Sequence, residues 1–220
     1  MAEKPAVNNG FYTKEGRTNR SETPRDSATV ILLRDRPEEA YELLLMRRHG
    51  GQAFMGGAHV FPGDRMDEAD RDRGLADCVG GFRDEEARRL LQEPDLEPET
   101  ALGLFLAAIR ETFEEAGVLL ACDASGRPVN LNQGDRAVRF TAYRRQLHAG
   151  KLTLAELARR EALRYRPDLL IPYSRWITPE VEPRRFDTRF FLACLPAGQS
   201  ASHDRQETTE SRWLTPAAAL

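Results

Sequence analysis

Three glutamates, Glu111, Glu114 and Glu115, are crowded into the end of the segment LGLFLAAIRETFEEAG. At about 100° per residue, Leu102, Phe105, Leu106, Ile109 and Phe113 form one apolar stripe of a helix. The glutamates occupy the opposite arc, with Arg110 at its flank, and Glu111 precedes the other two by one helical turn, so all three carboxylates can converge. A solvated acidic face is the ordinary explanation for such a run, but two features oppose it. Like charges at these spacings cost about 0.2–0.5 kcal/mol each, and no lysine on this helix offsets them. Glu114 and Glu115 also lie in the last turn before Gly117, the negative pole of the helix dipole, where each misplaced charge costs roughly 0.3–1 kcal/mol. A local preference broken in this way marks a functional site. Three oxygen donors in one place are what a hard divalent cation, Mg²⁺ or Mn²⁺, requires.

The elements that must position this cluster follow from the rest of the chain. Residues 1–27 are polar and aperiodic and read as a disordered tail. ATVILLRD from Ala28 and YELLLMRR from Tyr41 are apolar runs on either side of a turn, a pattern that predicts a strand pair. The stretch HGGQAFMGGAHVFPGD reads as loop, short strand (Ala58–Phe61) and loop. Residues 71–98 are charged, with an amphipathic piece DEEARRLLQ, and predict a helical insertion, expected to form a flap at the mouth of the site. Helix is predicted from Glu99 to Ala116, with Gly117 as its cap. Residues 135–149 and 153–163 give two further helical patterns. Leu169–Thr178, Thr188–Leu195 and Ser211–Leu214 read as strands. Thr215-Pro216 resembles a helix start, with four residues left in the chain, so that helix is either vestigial or cut short. Strands interleaved with helices indicate one α/β domain, residues 28–220, with a mixed sheet in a sandwich with helices.

Arg110-Glu111-x-x-Glu114-Glu115-x-Gly117 resembles the second half of the Nudix box, with Thr112 at a position the family fills with an aliphatic residue. The first half stands apart. Phe61-Pro62-Gly63-Asp64 is similar to the family's loop before the box, with Asp64 in place of a second glycine and Asp70 where the box has a glutamate. Between Asp70 and Arg110 lie 39 residues, where the family's box has seven. One branch of the family, which includes a mammalian peroxisomal coenzyme A diphosphatase and many bacterial members, carries such an insertion between HVFPGG-like and AAIRETFEEAG-like blocks. Trp176–Leu192 and Glu207–Leu220 also resemble that branch. The resemblance implies an α/β/α Nudix sandwich and a metal-dependent hydrolase cutting a diphosphate linkage in a small nucleoside-diphosphate derivative. It makes Glu111, Glu114 and Glu115 the metal carboxylates, with Arg110 orienting one of them from behind. Coenzyme A or an acyl-coenzyme A is the substrate the branch suggests; ADP-ribose, a dinucleotide, or a non-catalytic nucleotide sensor are the alternatives. The departures at Asp64 and Asp70 bear on the sensor: an aspartate in a tight glycine loop could strain it, and Asp70 is shorter than a glutamate though it keeps the charge.

Diphosphate hydrolysis needs charge neutralisation on phosphoryl oxygens and a positioned water, which bound divalent ions supply. Glu114 and Glu115 would be essential to turnover, and Glu207 occupies a loop position where some Nudix enzymes carry a base or a further metal ligand; the alternatives are that it caps a turn and that metal-bound hydroxide dispenses with a separate base. Arg47, His59, Arg184, Arg185 and Arg189 are the candidate substrate contacts, because guanidinium groups clamp phosphates bidentately. The adjacent pair Arg184-Arg185 repels itself unless something anionic compensates. Trp176 and Phe186 are candidates for stacking a base.

Bulk properties narrow the partners. A net charge of −3 and a pI near 5.9 argue against nucleic acid as the main ligand. Cys78, Cys122 and Cys194 fit neither a disulfide framework nor a zinc site, so a reducing cytoplasm is the default. The first residues have no apolar core of a secretory signal, the chain ends AAAL rather than in a peroxisomal address, and no run is long enough to span a membrane. A homodimer is a permitted assembly.

Overall fold

The computed structural model describes residues 22–37, 41–51, 57–204 and 208–219. Strand structure begins before the apolar run does. β1 (Arg25–Arg34) starts inside the segment expected to be tail. It does so because Arg25 to Leu33 pair in parallel with Phe186 to Cys194 of β8 (Phe186–Cys194), and ladder hydrogen bonds form whatever the side chain. Residues 1–21 lie outside the described residues.

β2 (Glu42–Arg48) and β4 (Gly63–Arg65) share one edge of β1: Leu33 faces Leu43 of β2, whereas Ser27 to Thr29 face Arg65 to Gly63 of β4. This fork brings the loop after β3 (His59–Val60) back across the start of β1. With β7 (Ile171–Ile177) beside β8, the order is β3-β2-β1-β8-β7, and β9 (Thr208–Leu214) adds to β2. Only β1 and β8 run parallel in this sheet among the described residues, so it is mixed, as expected.

Alternation along β1 turns Ala28, Val30 and Leu32 to the core, where they meet α3 (Pro98–Ala116). Phe105 of α3 packs against Phe191 of β8 at 4.8 Å and against Phe82 at 5.1 Å between ring centroids. Phe82 belongs to the insertion, whose helices are α1 (Arg73–Ala76) and α2 (Asp84–Leu91). The predicted helicity is there, but not the flap. Leu75, Phe82 and Ala87 are core residues, and α2 lies along α3. The charged face of α2 conceals the few apolar positions that dock it.

A two-stranded sheet, β5 (Ala121–Cys122) with β6 (Arg164–Tyr165), escapes the sequence pattern because each strand is two residues long. α4 (Gly134–His148) packs on α3. α5 (Leu154–Glu161) begins with the reciprocal cap of Thr153 and Glu156. α6 (Pro216–Ala219) is the short helix that Thr215-Pro216 predicts. Among the described residues, no helix is long and apolar enough to cross a membrane.

Candidate active site

Pro98 opens α3, where a missing N–H costs nothing, and Gly117 closes it at φ 70° with its N–H on the Phe113 carbonyl. Between them the helix is buried almost all round. Glu111, Glu114 and Glu115 are 6%, 8% and 4% exposed, which excludes a solvated acidic face. Thr112, the departure from an aliphatic residue, is also buried and satisfies its hydroxyl on the Ala108 carbonyl at 2.7 Å.

Arg110 is the hub of the cluster. Its Nη1 donates to Glu111 at 2.6 Å and lies 3.5 Å from Glu114, while Nε and Nη2 grip both oxygens of Asp70 at 2.9 Å. Asp70 is buried and its carboxylate also accepts the Asp67 N–H. The two halves separated by the insertion are thus rejoined by a bidentate ion pair. Burial alone would lower the Arg110 guanidinium, but Glu111, Asp70 and Glu114 outweigh it and hold the group above its ordinary value. Burial drives the Glu111 carboxyl well above the usual range. Arg110 pulls it back, and Glu115, Glu114 and Asp64 push it further up. Burial raises Glu114 too, against the pull of Arg110 and of His148, whose Nδ1 is 3.8 Å away.

Glu115 is fixed from the other side. Its Oε2 accepts the Gly63 N–H at 3.1 Å, which locks the β4 loop onto the end of α3. Asp64 sits in regular strand, not among the residues of positive φ, so the strain expected from it is absent. Its carboxylate instead adds to the negative field at Glu111.

The negative pole of α3 has a cation after all, supplied by another helix. Arg144 of α4 donates to the carbonyls of Glu114 (2.7 Å), Glu115 (2.6 Å) and Ser202 (2.8 Å), and to the Ser202 hydroxyl at 3.1 Å. Ser202 N–H in turn caps the Ala116 carbonyl at 2.9 Å. The only sign of Arg144 in the sequence is a helix end with two acids and no base, which requires a partner from outside the helix. Gln199, also unanticipated, bridges Leu119 and Val129 through its buried amide and steadies the chain leading into Ser202.

The remaining expected site residues divide. Arg189 is not a substrate contact: it is 3% exposed and held by Glu93, Asp26 and Asp187, tying the insertion to the sheet. Arg185 is spent on the backbone, donating to the carbonyls of Thr178 and Glu22, so carbonyl oxygens relieve the repulsion of the arginine pair. Arg184 is exposed and lines a cleft of about 240 Å³ with Gly63, Asp64 and Phe186. Arg47 and His59 are exposed and face each other across β2 and β3. Trp176 is exposed on the edge strand against Phe190. Glu207 lies outside the described residues. The chain before it is docked at the end of α3 through Ser202, and Asp204 accepts from the Thr208 N–H and hydroxyl just after it.

The model of the NUDT19 Nudix domain matches residues 24–220. The chain belongs to the Nudix family. It is 29% identical to an acyl-coenzyme A diphosphatase of Xenopus laevis over 82% of this chain and 54% of the relative. For the human protein of the same name, the figures are 31%, 83% and 56%. It thus spans little more than half the length of these relatives. A Nudix hydrolase from Alicyclobacillus acidocaldarius is 26% identical and superimposes with a TM-score of 0.70 over 87% of this chain and 79% of that one.

In this Nudix domain the described carboxylates turn to Arg110 and Gly63; no group of three His, Cys, Asp or Glu side chains among the described residues forms a ready-made cation cage. The donor chemistry nevertheless suits a divalent ion: buried, oxygen-only, like-charged groups whose ionised forms burial disfavours. Arg110 is the group on which their geometry turns. Arg110→Lys, which keeps the charge but not the fork, is expected to lower kcat and metal affinity by about 10–100-fold, read from rates across a metal titration. Unchanged kinetics would mean that the Asp70 clasp has no role in arranging the carboxylates.

Proposed function

We propose that this chain is a diphosphatase dependent on Mg²⁺ or Mn²⁺, and that it hydrolyses coenzyme A or an acyl-coenzyme A at the diphosphate linkage. The observation that carries the reading is the buried glutamate trio at the negative pole of α3, in a chain whose relatives are named acyl-coenzyme A diphosphatases. Glu111, Glu114 and Glu115 would hold the cation, which when bound supplies charge neutralisation on the phosphoryl oxygens and a more acidic water. Arg110 keeps Glu111 and Glu114 aligned and stays charged while doing so. Arg144 and Ser202 fix the chain leading to Asp204 at that helix end, and Glu207, further along the chain, would take the proton from the attacking water. Water adds to one phosphorus, the bridging oxygen leaves with the other, and two phosphorylated products result. Arg184, Arg47 and His59 are the exposed candidates for substrate contact on the sheet side. Asp64 lies in unstrained backbone, which removes the loop-strain argument for a non-catalytic sensor. For a compartment we favour the cytoplasm, whose reducing conditions suit three free cysteines.

The test is a substrate panel of coenzyme A, an acyl-coenzyme A, ADP-ribose and a dinucleotide, each with Mg²⁺ and with Mn²⁺. Coenzyme A species are expected to turn over fastest, and chelation to abolish the rate. Faster turnover of ADP-ribose or the dinucleotide would overturn the substrate, and tight binding without products would overturn the enzyme.

A further inference from the structure

Beside Glu114, α4 and the chain from Ser202 to Asp204 line a cleft of about 440 Å³. Its charged lining is Glu114, Arg144, Arg145, His148, His203 and Asp204. Several of these groups are already committed. Arg144 is used on four backbone and hydroxyl oxygens of α3 and Ser202. Asp204 accepts from the Thr208 N–H and hydroxyl. Glu114 turns to Arg110.

What is left is basic. Arg145 is exposed, lines this cleft and makes no ion pair or side-chain hydrogen bond among the described residues. Among the described residues His203 is half-buried with no hydrogen-bond partner for either ring nitrogen, and His148 has only the contact of its Nδ1 with Glu114 at 3.8 Å. Arg139 of the same helix is satisfied differently, by a bidentate pair with Glu161 of α5. A guanidinium and two imidazoles around a concavity of this size suit a phosphate, with the forked arginine taking two oxygens and the ring N–H groups the others.

We propose that the cleft formed by Arg145, His148 and His203 is a second anion subsite, taking a phosphomonoester carried on the nucleoside part of the substrate while the diphosphate lies at the glutamates. This deepens the coenzyme A reading and rests on it, because coenzyme A differs from plain nucleoside diphosphates in bearing such a phosphate on its ribose. The subsite selects substrate rather than taking part in bond cleavage.

Binding tests it without turnover. Adenosine 3′,5′-bisphosphate and adenosine 5′-monophosphate differ by the one phosphate in question, and calorimetry on the full chain measures both. The wild type is expected to prefer the bisphosphate by about tenfold or more. In Arg145→Ala and in His203→Ala the two nucleotides should bind within about twofold of each other. Equal binding by the wild type, or a preference that survives in both variants, overturns the subsite. Coenzyme A hydrolysis is assayed separately. A chain that hydrolyses coenzyme A without the preference fails only the subsite, and one that keeps the preference but turns over no coenzyme A fails only the proposed activity.

Discussion

Glu114→Gln is expected to reduce turnover by about a thousandfold, on the order of 4 kcal/mol, while leaving the metal-free fold at least as stable as the wild type. The two halves of this expectation have one cause. Burial disfavours the charged Glu114 carboxylate more than Arg110 and His148 favour it, so its folded-state pKa lies above its ordinary value. A carboxyl raised by folding binds more protons in the native state than in the unfolded one. Its favourable contribution is complete below the unfolded pKa and is lost as pH rises through the folded pKa. Near neutrality, then, the ionised side chain is a liability to the metal-free protein, and the neutral, isosteric glutamine removes it. A ligand that binds only the native state offsets that liability, so saturating Mg²⁺ or Mn²⁺ should raise the wild-type Tm more than that of the variant. Melting both proteins with chelator at pH 8 and at pH 5 checks the sign: any advantage of the variant should shrink toward the lower pH. A variant that turns over normally, or that melts well below the wild type without metal, contradicts the view that this charge is there to hold a cation.

How far the site was legible follows from where its information resides. That the glutamates are not a solvated face could be read because they break a rule within one helix, and a local conflict is visible in a local pattern. Asp70 could be placed by resemblance, but its bidentate clasp on Arg110 needed the fold, since it spans the whole insertion. The arginines were least legible. Arg184, Arg185 and Arg189 look alike in sequence, yet one is exposed beside the Gly63 loop, one is bonded to turn carbonyls and one is buried among three carboxylates. Their fates are set by residues such as Glu93 and Asp26, distant in the chain, so composition and spacing could not separate them. The fold shows the same division. Strands and helices of seven residues or more were visible from periodicity, whereas β5, β6 and the early start of β1 depend on pairing with partners far along the chain. The charged surface of the insertion suggested a flap because the residues that dock it, among them Leu75, Cys78, Phe82 and Ala87, are interspersed with charged ones.

Gly63→Ala should cost about 3–5 kcal/mol, a Tm loss of roughly 10 °C, and should disable the site with it. Gly63 has φ 151°, and a Cβ there would stand 2.3 Å from the Ala28 carbonyl oxygen and 2.5 Å from the Thr29 Cα. Both are backbone atoms of a central strand that is itself paired in parallel with β8, so neither can yield as a flexible side chain would. Relief requires β4 to part from β1, and β4 carries the N–H that holds Glu115. Steric strain in the sheet therefore becomes misplacement of Glu115, a proposed metal carboxylate, and metal affinity should fall along with stability. Gly126→Ala separates the two contributions: that glycine also has positive φ, at 80°, but has no atom within 4 Å of the added methyl. It bears the conformational strain alone, about 1–3 kcal/mol, and lies in a turn that makes no contact with the carboxylates. If Gly63→Ala lowered Tm no more than Gly126→Ala and bound Mn²⁺ as the wild type does, the close approach of β4 to β1 would not be what seats Glu115.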